Sequence, residues 1–219
     1  MKRRGLIPVL LFAGATVSLV GAVAPWIPHP TAALRIGAFD LFEISKYLPA
    51  VSSGEVSLLR EAFLLPVVIP ALVLALVPLA PGSRRGVGRW LIPVAAAIIA
   101  LSTLPPYPQI LSAHRNPEYR GQLILSVGTF LLALLSPLVS RLPDLVGAGV
   151  TLILTILGVV LPLTQFGRIH PLFAALYDAP VGWGWGIIVY VLGMSLIDLA
   201  GAVWLIWPRL RMSGRIGEG

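Results

Sequence analysis

The chain has 219 residues, 57% hydrophobic and only 11% charged, with a mean hydropathy of +0.91 and a formal net charge of +7. Soluble domains carry roughly 25% charged residues, so this composition leaves no room for a sizeable soluble domain and points to an all-α bundle of membrane helices. The basic residues lie between apolar runs, which excludes a nucleic-acid partner, and the absence of cysteine excludes disulfides, thiol catalysis and thiolate metal sites.

Six stretches are predicted to cross a bilayer, at about 5–25, 62–80, 88–104, 122–140, 145–163 and 184–207, because each supplies close to the ~20 apolar residues a crossing needs. They form one transmembrane domain over residues 1–208, followed by a short polar tail at 209–219. The first run follows MKRR, and Ala22-Val23-Ala24 has the small-x-small form of a signal cleavage site. Pro25 directly after it, and the length of the run, favour a retained helix. Gly14, Ser18 and Ala22 recur every fourth residue and offer a face that a neighbouring helix can approach closely.

Residues 31–48 alternate Leu41, Ile44 and Leu48 with Asp40, Glu43 and Lys46 at helical spacing. An amphipathic helix lying flat on the outer interface is expected, with a lid over a cavity as the alternative. Ser52 and Glu55 have the spacing of a capping box for the next helix. The second span contains Pro66, Pro70 and Pro78 and should bend or break, since each proline removes a backbone donor. A basic turn leads to the third span, and a proline-rich connection holding His114, Arg115, Glu118 and Arg120 leads to the fourth. Asp144 is placed to cap the fifth helix, and residues 170–180 read as a short surface helix. The sixth span opens with GWGWG, read as interfacial aromatics with flexible spacing.

Charge orients the bundle. With six spans, the ends and even turns carry ten basic residues against two acidic ones, and the odd loops six against six. The positive-inside rule then puts both termini in the cytoplasm of a multi-pass plasma-membrane protein.

Phosphate-loop, dinucleotide, zinc-protease and nucleophile-elbow patterns are all missing, so no catalytic residue, metal ligand set or cofactor is assigned. His29, His114 and His170 all fall in outer loops, at no metal-binding spacing, and Arg115, Glu118 and Arg120 form the most charged outer cluster. Asp198 stands apart as the one carboxylate deep in an apolar run. It lies about 20 Å from Trp185 along a helix. A charge at that depth costs about 2.5–3.5 kcal/mol, so Asp198 is expected to face the bundle beside Ser195, Gly201 and Ala202. Its expected partners are hydroxyls of Ser102, Thr103, Ser126, Thr129, Thr151 or Thr155. The expected function is a transport or permease component, with a cavity near Asp198 among the second, third and sixth helices. A non-catalytic accessory or assembly subunit of a membrane complex is the alternative, and an intramembrane enzyme on lipid-linked substrates the third reading. The expected partners are the lipid bilayer and other membrane subunits or a second copy of the chain.

Overall fold

The computed structural model describes residues 5–28, 35–83, 86–139 and 142–216, with side chains up to Ile206. Its helices are α1 (Leu6–Val23), α2 (Ala38–Ile44), α3 (Pro49–Ser52), α4 (Leu65–Leu76), α5 (Gly88–Leu101), α6 (Pro117–Leu135), α7 (Asp144–Tyr177) and α8 (Trp185–Ile216). A two-residue antiparallel pair, β1 (Ile27–Pro28) and β2 (Arg35–Ile36), leads into α2. Among the described residues, five segments are long and apolar enough to cross a bilayer: α1, α4 with its flanking 3₁₀ turns (Arg60–Leu79), α6 with its last turn (Pro117–Leu138), α7, and α8 over Trp185–Ile206. The chain is therefore a helical, multi-pass membrane protein.

The third predicted span, 88–104, is shorter than expected. At 14 residues, α5 rises about 21 Å, less than the ~30 Å hydrocarbon thickness. It runs antiparallel to α6. Arg89 at its start donates to the carbonyls of Pro137 and Val139, and Thr103 just past its end accepts from Gln122.

At the centre lies α4, whose apolar window is 78% buried against 33–44% for the other four spanning segments. It packs on α1 and α7 on one side and on the α5–α6 hairpin on the other, while α8 lies across α1 and α7. Two of the three prolines lie at the borders of α4, which is α-helical between two 3₁₀ turns, Arg60–Leu64 and Val77–Leu79: Pro66 falls in its first turn and Pro78 in the second 3₁₀ turn, while Pro70 sits inside the helix without ending it. The α1–α8 contact is the closest in the bundle. Gly14, Ser18 and Ala22 are all buried. A Cβ on Gly14 would lie 2.8 Å from the Gly193 carbonyl oxygen, and one on Gly193 would lie 2.7 Å from the Gly14 carbonyl oxygen. Backbones this close exclude larger residues and gain dispersion along their length, which is how helices associate where no water drives them together. Two of the three GWGWG glycines, Gly184 and Gly186, belong to the same contact, while Gly182 is exposed. Gly184 and Gly186 donate backbone N–H groups to the carbonyls of Trp26 and Pro25, and a Cβ on Gly186 would meet the Ala24 oxygen at 2.6 Å. They serve close packing, while Trp183 and Trp185 beside them are exposed.

Four boundaries depart from expectation. The fifth span and the surface helix at 170–180 are one 34-residue helix, α7, passing through Pro162 and Pro171. It ends where Asp178 adopts φ +48° and Ala179 donates to the Ala174 carbonyl, a left-handed stop. Ser52 ends α3 and donates to the Pro49 carbonyl, so it does not cap a following helix. The last helix continues to Ile216, past the predicted end at 207. Of the predicted helix at 31–48, residues 31–34 lie outside the described ones. The described part is helical only over α2 and the 3₁₀ turn Ser45–Tyr47. Its apolar side chains Ala38, Leu41, Phe42 and Leu48 are buried in the protein core, so this segment packs as a cap on the bundle. The Asp40 carboxylate holds its start, accepting from the Gly37 N–H at 2.8 Å.

Candidate functional site

Helix α8 sets the position of Asp198. Its buried side is fixed by two neighbours: Gly186, Tyr190, Gly193 and Ile197 meet α1, while Met194, Gly201 and Trp204 meet α7. Asp198 is one residue, about 100° of rotation, beyond Ile197, and that step carries it out of the bundle. Asp198 and Ser195 are exposed, together with Leu192, Leu199 and Ala202. The expectation that Asp198 faces the bundle is thus corrected. Gly201 is buried and does not share its face, whereas Ser195 and Ala202 do. Among the described residues the Asp198 carboxylate has no hydrogen-bond or ionic partner. Ser195 donates to the Val191 carbonyl of its own helix.

Of the six hydroxyls expected to partner Asp198, five are engaged elsewhere. Thr103 and Ser126 bond each other at 2.8 Å, and Gln122 donates to the Thr103 carbonyl, which ties α5 to α6. Thr151 and Thr155 donate to the Gly147 and Thr151 carbonyls of α7, and Thr129 is buried on α6. Ser102 donates to the Ile99 carbonyl. The expected cavity near Asp198 is not where the cleft lies. A cleft of about 590 Å³ opens between α1 and α5 and is lined by neither Asp198 nor any residue of α8.

The outer-loop candidates separate. His29 lies outside the described residues. His114, Arg115 and Arg120 are exposed. His170 stacks near Phe166 and Trp183, at ring-centroid distances of 5.4 and 6.1 Å, with its Nε2 buried and unpartnered among the described residues. Glu118 turns away from its sequence neighbours and joins a cluster that the linear pattern does not show. Lys46 spends three donors on Glu43 Oε2 at 2.7 Å, Glu118 Oε1 at 2.9 Å and the Tyr119 hydroxyl at 3.3 Å. Arg60 Nη1 lies 3.6 Å from the same Glu118 oxygen, its Nε donates to the Phe42 carbonyl, and its guanidinium stacks 4.7 Å from the Phe42 ring centroid. Burial alone would lower the Lys46 pKa, but the hydrogen bonds to Glu43, Glu118 and Tyr119 outweigh it and hold the ammonium above the ordinary lysine range. The cluster pins the α2 cap to the starts of α4 and α6. Only the Glu43–Lys46 spacing of three residues marks it in the sequence.

No protein family, characterised protein or solved structure matches the chain.

Proposed function

We propose that the chain is a non-catalytic subunit of a membrane protein complex and docks through the outward face of α8. The observation that carries this reading is Asp198: exposed, far from either end of the apolar part of α8, and unpartnered among the described residues. A carboxyl group facing hydrocarbon is expensive, and ionisable residues within spans pair with another group or line a wet cavity. The cleft between α1 and α5 is not lined by Asp198, and in this reading the pairing group belongs to another chain. A transmembrane helix with a Lys or Arg at the matching depth satisfies both the charge and the hydrogen-bonding capacity of a carboxylate. Ser195 and Ala202, small and exposed beside it, let such a helix come close.

The same reading includes six crossings, with α5 counted because it lies antiparallel along α6, and both termini in the cytoplasm at the plasma membrane because the charge asymmetry requires it. A transport role has less support, since Asp198 and the cleft are separate features. An enzyme role has less still, since the charged groups around Lys46 are mostly spent on one another.

Native purification in mild detergent tests the assignment. Wild type is expected to carry a stoichiometric partner with a cationic residue in a span, and Asp198→Leu to lose it while remaining folded. Asp198→Lys should recover binding only when the partner's cation is exchanged for an acid. Wild-type protein that purifies alone, or whose partner is retained equally by Asp198→Leu, would overturn the reading. A self-dimer that Asp198→Leu disrupts would replace the cationic partner with a second copy.

A further inference from the structure

The cleft between α1 and α5 is a separate feature and does not depend on the role of Asp198. Val20 of α1, Ile99 of α5, Val67 of the central helix, and Phe39 and Asp40 of the α2 cap line it. Along α1 it runs from Thr16 to Val23, about 10 Å. The walls are apolar, as a hydrocarbon chain requires.

Its few polar groups share one property. Thr16, Ser102 and Thr103 donate their hydroxyl protons to the Phe12, Ile99 and Ala100 carbonyls of their own helices, at 2.9, 2.7 and 2.7 Å. Each then presents lone pairs and no free proton. Asp40 is the one charged residue of the lining. Its Oδ2 accepts from the Gly37 N–H, and a carboxylate has further acceptor sites and no donor. The cleft therefore offers one negative charge at its capped end, beside Val23, and hydroxyl acceptors on α5 and, about 10 Å along α1, at Thr16, between apolar walls. An anionic head would meet Asp40 and find no donor among the described lining side chains. A protonated amine would find a counter-charge.

We propose that this cleft binds an amphiphile with an ammonium head on a hydrocarbon chain, the head at Asp40 and the chain between α1 and α5. Two sources share that chemistry: a free long-chain amine, and a membrane lipid with an ethanolamine head.

The test uses the full-length protein in nanodiscs of phosphatidylcholine and a dodecylamine carrying a diazirine at the chain end. Crosslinks are expected on residues 16–23 and 99–103. A diazirine fatty acid of the same length should label these peptides about tenfold less, the scale of one lost charge-assisted contact. Asp40→Asn keeps an oxygen for the Gly37 N–H and should show a similar fall. Should that variant fail to fold, Val20→Trp, at an exposed wall position, fills the cleft and should abolish labelling. Unlabelled dodecylamine or phosphatidylethanolamine should compete, and the stronger competitor identifies the source. Labelling spread over all exposed helix faces, equal labelling by amine and fatty acid, or labelling unchanged in the variants would overturn the proposal.

Discussion

The Tyr190 hydroxyl of α8 donates to the Gly158 carbonyl of α7, the oxygen that Pro162, four residues on, leaves without a helical N–H. Both residues are buried, and a buried carbonyl without a donor costs about 1–3 kcal/mol. One cross-helix bond thus lets α7 continue through a proline, and it locks the register of α8.

Tyr190→Phe should therefore destabilise the protein by about 1–3 kcal/mol, read from the midpoint of a denaturant titration in micelles. Pro162→Ala restores the intrahelical donor, so Tyr190→Phe should cost much less in that background. Equal costs in both backgrounds would show that the hydroxyl does not serve the proline gap.

The Lys46 cluster predicts an alkaline dependence. Its ammonium is held above the ordinary range by its acceptors in the fold. Its contribution is therefore full below the unfolded-state value of about 10.4 and is lost as pH rises through the higher folded value. Lys46→Met should lower Tm by about 2–4 °C, by an equal amount at every pH from about 6 to 9, with the gap to wild type closing only above about pH 10.4. A gap that closes near neutrality would remove the cluster as the cause.

The orientation is testable because the chain has no cysteine. A cysteine at Ser112 should react with an impermeant thiol reagent in intact cells, and one at Ser213 should be protected. The reverse pattern inverts the protein. Reaction at both positions would mean that one of α6, α7 and α8, the three helices between them, does not cross; a cysteine at Ser83, ahead of α5, should be protected if α5 crosses and react like Ser112 if it does not.

The apolar runs, the prolines that border α4 and the small-residue face of α1 could all be read from the sequence, because each depends on residues a few positions apart on one element. Gly14, Ser18 and Ala22 marked a contact surface before its partner was known. What the sequence left open was rotation and distance. Asp198 follows Ile197 by a single residue, and which of the two faces the core depends on where α1 and α7 both press against α8, through Gly193 on one flank and Gly201 on the other. Lys46 finds Glu118 and Tyr119, 72 and 73 residues away, a meeting that no local pattern encodes. The α2 segment has the alternation of a helix lying on lipid, yet its apolar side is buried against the core. Lipid and protein interior are equally apolar solvents for a leucine, so only tertiary packing decided between them.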